Sequence, residues 1–142
     1  MWKRIIWALL VGSICGAIAG AVGFSMSERV FGRDIGIIGN SPALAALSGA
    51  VYLGASGAVT GAIVAIANLN VLRSGIVGLI CGVLLVTGET WGRERRYFYE
   101  GGYFGWQMFY SDITRWITFV LGLALAAMAV SILQRRRFGK GK

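Results

Sequence analysis

The sequence lacks histidine altogether and has only one proline and two cysteines in its 142 residues. The missing histidine removes the commonest metal ligand and the side chain that most readily exchanges protons near neutral pH. Cys15 and Cys81 each lie inside an apolar run, "GSICGAIAG" and "GLICGVLL", so both are predicted to be small, buried packing residues. We therefore predict no metal site and no catalytic residue. No particular cofactor is predicted, and bound lipid is expected.

Charged residues are also scarce, at 14% of the chain against 56% hydrophobic residues, and the mean hydropathy is +0.69. A soluble domain usually carries about 25% charged residues, so this chain lacks the polar surface of one. It has instead 22 glycines, a residue that is more frequent in transmembrane helices than in soluble ones. These proportions predict an integral membrane protein.

The net charge of +8 would suggest a nucleic-acid partner if the protein were soluble. Here the basic residues are concentrated at the chain ends and in short connections, where such residues orient a membrane protein and contact anionic lipid. We expect membrane lipids, and no nucleic acid, among the partners.

Four apolar segments reach the length of roughly 20 residues that a bilayer-spanning helix needs. They predict an all-α integral membrane protein, a single polytopic domain over residues 1–142, with spans at about 5–26, 43–67, 71–90 and 113–133. The first segment, preceded by Lys3 and Arg4, also resembles a secretory signal. Its apolar stretch continues past Ala21 to a full spanning length, which favours a retained helix.

An even number of spans puts both termini on one side of the membrane, together with the short connection near residues 68–73. That side has no acidic residue and eight basic ones, including those of a tail over residues 134–142: Lys3, Arg4, Arg73, Arg135, Arg136, Arg137, Lys140 and Lys142. The other side has all six acidic residues and six arginines. Because basic residues accumulate in cytoplasmic segments, we expect both termini in the cytoplasm and the protein in a bacterial inner membrane.

Glycines recur at three- and four-residue intervals, which places them on one face of each predicted helix. Such small-residue faces allow close helix approach in lipid. The packing residues predicted from this pattern are Gly12, Gly16, Gly20, Gly23, Gly54, Gly57, Gly61, Gly75, Gly78 and Gly82, with Ala46 and Ala50 extending the second stripe. An alternative is that several copies assemble around an axis and line a narrow pore with these faces.

Ten of the 17 aromatic residues fall within the 29 residues from Gly88 to Trp116. Tryptophan and tyrosine favour the membrane–water interface, so residues 91–112 are predicted to form an interfacial connection between the third and fourth helices. Its aromatic density exceeds what anchoring requires, which predicts contact with a partner or bound cofactor at Trp91, Tyr97, Phe98, Tyr99, Tyr103, Phe104, Trp106, Phe109 and Tyr110. Arg93, Arg95 and Arg96, like Arg135, Arg136 and Arg137, are predicted to contact lipid headgroups.

The leading functional hypothesis is a non-catalytic small subunit that packs into and stabilises a larger membrane assembly, for example a bioenergetic complex. The spans have no ionisable residue at their centres, and intramembrane charges are the usual mark of ion coupling. A homo-oligomeric channel, pore or small transporter is the alternative. A lipid-acting enzyme that uses Glu89 or Glu94 is a weaker one, because no nucleophile or metal motif accompanies these carboxylates.

Overall fold

The structure of the protein is a computed structural model. The structure describes the backbone of residues 1–31, 42–100 and 106–138, and the side chains of residues 1–26, 43–88, 113 and 116–138. Within these ranges every regular element is an α-helix, and there is no strand. The predicted all-α architecture with four helices is confirmed.

The four helices are α1 (Trp2–Phe31), α2 (Pro42–Ile66), α3 (Val71–Glu100) and α4 (Trp106–Phe138). Each contains a segment long and apolar enough to cross a membrane: Trp2–Met26, Ala43–Ile66, Val71–Gly88 and Trp116–Phe138. The helices are longer than these segments. The backbone of α3 stays helical through residues 89–100, and α4 begins ten residues before its apolar segment.

α4 is the central helix of the bundle, in contact with all three others. α1 and α2 form the most extensive pair, and α4 lies against both of them. α3 packs on the outer side of α4, touches α2 only slightly, and has no contact with α1 in the ranges described above. The bundle is therefore a tight α1–α2 pair joined to α3 through α4.

Large apolar side chains face outwards along α1, at intervals of four residues. Ile6, Leu10, Ile14, Ile18, Val22 and Met26 are each more than half exposed. The opposite face carries Ala8 and the glycines that meet α2. Small residues inside and large apolar residues outside suit a lipid environment, where close packing rather than hydrophobic burial holds helices together.

The described side chains form two buried clusters. One contains Ala8, Val64, Ala65, Ala127 and Val130 and lies near the chain termini. The other contains Phe24, Leu53 and Phe119, in which the two phenylalanine rings meet edge to face at 5.6 Å between centroids. This second cluster joins α1, α2 and α4 farther from the termini.

A short turn between α2 and α3 lies at the same end of the bundle as the first helical turns of α1 and the last turns of α4. Asn68 adopts a left-handed backbone conformation with φ 49°, which asparagine tolerates better than most residues. The side-chain Oδ1 of Asn70 accepts a hydrogen bond of 2.8 Å from the Arg73 N–H, which caps α3. The Ser131 hydroxyl of α4 donates to the Leu69 carbonyl at 3.0 Å and ties α4 to the turn.

Several other hydroxyl groups of the spans donate to carbonyls three or four residues earlier in the chain. Thr60 donates to the Ser56 carbonyl and Ser74 to the Asn70 carbonyl, each at 2.8 Å. Ser48, Ser56 and Thr87 do the same to carbonyls three or four residues earlier. Hydroxyl groups that donate to nearby backbone carbonyls suit a membrane interior, where no water is present to accept their hydrogen bonds.

Candidate functional site

The α1–α2 interface is built from backbone against backbone. A methyl group added at Gly12 would meet the carbonyl oxygen of Gly57, and one added at Gly20 would meet that of Gly49. Between these contacts, a methyl group at Gly16 would meet the carbonyl of Leu53. Each step of four residues along α1 is thus matched by a step of four residues back along α2, as in an antiparallel pair.

The other predicted packing glycines also lie at helix–helix contacts. Gly61 faces Ala8 and Gly12, Gly23 faces Thr118, and Gly54 makes ordinary contacts with Ala17 and Ser13. On α3, Gly75, Gly78 and Gly82 face Met128, Ala124 and Val120 of α4. All ten therefore lie inside one copy of the chain, and their role in stabilising the bundle in a membrane stays a prediction.

Sequence reasoning missed Gly49, which contacts Gly20 and the ring of Phe24. The stripe that α2 presents to α1 includes residues 49, 53, 57 and 61, whereas the predicted stripe began at residues 46 and 50. Leu53 is a large residue in this row of otherwise small residues. The sequence pattern therefore did not indicate that residue 49 lies on the same face of α2 as residues 57 and 61. A strict four-residue spacing counted back from Gly61 and Gly57 would have found Gly49.

The predicted partner contacts lie outside the described side chains. The backbone at Trp91, Tyr97, Phe98 and Tyr99 belongs to α3, and that at Trp106, Phe109 and Tyr110 belongs to α4. Tyr103 and Phe104 fall in the range 101–105, which the structure does not describe. The helical backbone of α3 also includes Glu89, Arg93, Glu94, Arg95 and Arg96. The structure does not describe the side chains of these five residues.

A cluster of basic and aromatic side chains joins the first turns of α1 to the last turn of α4. The rings of Trp7 and Phe138 meet edge to face at 6.0 Å between centroids. The guanidinium of Arg4 lies 5.6 Å from the centre of the Phe138 ring, and that of Arg137 lies 5.9 Å from the centres of both rings. These distances are within the range of cation–π attraction.

An open groove of about 380 Å³ adjoins this cluster, and we call it the terminal groove. Its lining consists of Lys3, Ile6, Trp7, Leu10, Arg137 and Phe138. The three cations Lys3, Arg4 and Arg137 have no acidic side chain near them in sequence, because residues 1–27 and 113–142 contain no Asp or Glu. The groove is therefore positively charged and partly apolar.

The basic tail predicted over residues 134–142 is helical as far as Phe138. Arg135 and Arg136 are exposed and do not line the terminal groove, whereas Arg137 does. Gln134 is buried, with 6% of its surface exposed, and its side-chain nitrogen has no hydrogen-bond partner among the described residues. The last turn of α4 is thus part of the bundle and not a free tail.

Cys15 and Cys81 are both free, and they lie on α1 and α3, which do not touch within the described ranges. No group of three or more Cys, Asp or Glu side chains that could hold a metal occurs among the described residues. The described groups suited to ligand recognition include the cations and rings at the terminal end.

No protein-family model matches the chain, and neither a curated protein nor a solved structure matches it.

Proposed function

We propose that this protein is a non-catalytic membrane subunit that packs into and stabilises a larger assembly through the extended ends of α3 and α4. The observation that carries the proposal is the excess length of these two helices. α3 has 30 residues and an apolar span of 18, and α4 has 33 residues and an apolar span of 23. A lipid bilayer explains the apolar spans of α3 and α4. We attribute the additional length of the two helices to contact with another subunit.

The additional length is substantial on the scale of a membrane. At about 1.5 Å per residue, the twelve residues of α3 after Gly88 cover roughly 18 Å, and the ten residues of α4 before Trp116 cover roughly 15 Å. These two stretches, with the connection between them, contain all nine aromatic residues assigned above to partner contact. Aromatic and arginine side chains are the residue types that most often dominate the energy of protein interfaces.

The packing of the glycines supports a subunit over a self-assembled pore. The glycines of α1 and α2 meet each other within one chain, so a pore lined by these glycines would have to break the most extensive helix pair. The outer faces instead carry large apolar side chains such as Ile14, Leu79 and Val83. Such faces suit lipid or the apolar helices of a neighbouring subunit.

Purification of the tagged chain from its own membranes in mild detergent tests the proposal. We expect the wild-type protein to migrate with other integral membrane subunits on native gels. The triple variant Tyr99→Ala, Tyr103→Ala, Trp106→Ala is expected to insert into the membrane normally and to migrate as a small free particle. A wild-type protein that is monodisperse, monomeric and without partners would contradict the proposal.

The matched control removes exposed aromatic rings elsewhere on the molecule. Trp2 and Tyr52 are 77% and 60% exposed, and they lie at the terminal end and on the outer face of α2. The double variant Trp2→Ala, Tyr52→Ala is expected to stay in the assembly. Equal loss of assembly in both variants would mean that the α3–α4 ends have no special role.

A homo-oligomeric channel predicts a different result from the same preparation. It requires the pure chain, without any other subunit, to form a ring of copies and to pass ions or solutes across liposomes. The substitution Gly57→Leu does not test this hypothesis, because Gly57 contacts Gly12 in the same chain and a leucine there would disrupt the bundle. The absence of flux under several ion gradients would remove the channel hypothesis.

A further inference from the structure

We infer that the terminal groove is a binding site for the phosphate headgroup and upper acyl chain of one anionic phospholipid. The groove lies between the first turns of α1 and the last turn of α4, where Lys3, Ile6, Trp7, Leu10, Arg137 and Phe138 line it. This inference concerns the terminal end of the bundle, and it holds or fails independently of any partner at the α3–α4 ends.

The order of side chains along α1 matches the polarity of a phospholipid. Lys3, Ile6, Trp7 and Leu10 share one face of the helix, with the cation nearest the end and the apolar side chains deeper in the span. From Lys3 to Leu10 the helix rises about 10 Å. A headgroup at Lys3 would therefore place its acyl chain against Ile6 and Leu10.

The apolar floor of the groove continues into the lipid-facing side of α1. Ile6 and Leu10 are 53% and 58% exposed, and Ile14 and Ile18 continue the same row with similar exposure. An acyl chain that enters the groove can thus run along an uninterrupted apolar surface. A soluble phosphate compound would leave this surface unused, which favours a lipid as the occupant.

The aromatic rings hold the cations in position for a phosphate. Arg137 lies over the rings of both Trp7 and Phe138, and Arg4 lies over Phe138 from the other helix. Cation–π attraction at these distances restricts the positions of the guanidinium groups, and guanidinium N–H groups match the geometry of phosphate oxygens. The rings thus reduce the conformational entropy that the arginines lose when an anion binds.

Charge complementarity identifies the headgroup as anionic. No Asp or Glu side chain from residues 1–27 or 113–142 is present to neutralise Lys3, Arg4 and Arg137. A zwitterionic headgroup would bring its own cation to this cluster, whereas an anionic one adds only negative charge. The volume of about 380 Å³ is within the usual range of ligand clefts, roughly 300–1,000 Å³.

Lipid titration of the full chain in phosphatidylcholine nanodiscs tests the site. Phosphatidylglycerol with the same acyl chains is added as a minor component, so that the surface potential of the disc stays small, and bound lipid is counted by native mass spectrometry. We expect one phosphatidylglycerol molecule to be retained. The double variant Lys3→Gln, Arg137→Gln is expected to lose roughly tenfold or more in affinity, because each basic residue near an anionic lipid contributes about 1 kcal/mol.

The double variant Arg135→Gln, Arg136→Gln is the matched control. It removes the same amount of charge from the same end of the bundle, in the helical turn that contains Arg137, but neither residue lines the groove. We expect it to retain phosphatidylglycerol almost as well as the wild type. Equal losses in the two double variants, or equal retention of phosphatidylcholine and phosphatidylglycerol by the wild type, would overturn the inference.

Two further measurements complete the test. Glycerol 3-phosphate should not displace the lipid, and displacement at comparable concentration would show a site for soluble phosphates instead. Photo-crosslinking of the wild-type protein with a phosphatidylglycerol analogue gives a readout that does not depend on any variant folding. Crosslinks confined to peptides that contain residues 3–18 and 137–138 are expected, and crosslinks scattered over all four helices would overturn the inference.

Discussion

The contacts at Gly12, Gly57 and Gly61 show how a single missing side chain decides the distance between two helices. At each of these positions an added methyl group would meet a backbone carbonyl of the opposite helix. A carbonyl in a helix cannot move aside without displacing its whole turn. Gly54 lies on α2, as Gly57 and Gly61 do, but its surroundings are less crowded. The nearest atoms would be 3.4 Å from an added methyl group, which is an ordinary van der Waals distance.

The first prediction compares two alanine substitutions on α2. Gly57→Ala should lower the free energy of unfolding by about 1–3 kcal/mol, the usual cost of overpacking a tight contact, because the new methyl group meets the Gly12 carbonyl. Gly54→Ala should stay within about 1 kcal/mol of the wild type, since alanine also has the better helix propensity. Unfolding in mixed micelles of mild detergent and SDS measures both.

Equal stabilities of the two alanine variants would contradict the packing of α1 on α2 described above. A stable Gly57→Ala variant alone would mean that the two helices are further apart than their backbone contacts indicate.

At the scale of the helix, hydropathy predicted the existence and order of the four elements but not their ends. The third span was predicted to end near residue 90 and to be followed by an interfacial segment at 91–112. The apolar segment of α3 does end there, at Gly88, but the helix itself continues to Glu100 and α4 begins at Trp106. The interfacial location of residues 91–112 stays a prediction. Glutamate and arginine are good helix formers, so the helix continues after Gly88 although the apolar pattern stops there.

The start of α3 provides the second prediction. Asn70 accepts the Arg73 N–H at its side-chain oxygen, and its carbonyl accepts the Ser74 hydroxyl. Asn70→Ala removes the first bond and should lower the unfolding free energy by about 1 kcal/mol, the typical cost of losing a helix cap. Asn70→Asp keeps a side-chain oxygen at this position and should retain most of the stability, as measured by the same micelle titration.

A destabilised Asn70→Asp variant together with a stable Asn70→Ala variant would contradict this account of the cap. It would mean that the hydrogen bond from the Arg73 N–H to the side-chain oxygen at position 70 does not stabilise the start of α3.

At the scale of the whole molecule, the choice of neighbours could not be predicted from the sequence. Every helix has small residues at three- or four-residue spacing, so the pattern indicates close packing without saying which helices pair. The contact between Trp7 and Phe138 could not be predicted either, because these two residues come from opposite ends of the chain and meet only in the folded bundle. Only the folded bundle places Arg137 beside α1, while the sequence grouped it with Arg135 and Arg136.

The bundle also assigns the charged residues to its two ends. The first turns of α1, the α2–α3 turn and the last turn of α4 share one end, where Ser131 bonds to Leu69 and Trp7 meets Phe138. All the described basic side chains lie at that end, and none of the six acidic residues falls in the sequence there. Because basic residues favour the cytoplasmic side, we expect this end to face the cytoplasm.

Single-cysteine labelling in intact bacterial cells is the most direct test of a four-span protein with a cytoplasmic basic end. The background carries Cys15→Ala and Cys81→Ala, and single cysteines are placed by Ser41→Cys, Ala67→Cys, Gly102→Cys and Lys140→Cys. A membrane-impermeant maleimide is expected to label positions 41 and 102 in intact cells, and positions 67 and 140 only after the membrane is opened. Labelling of positions 67 and 102 from the same side would contradict the four-span account.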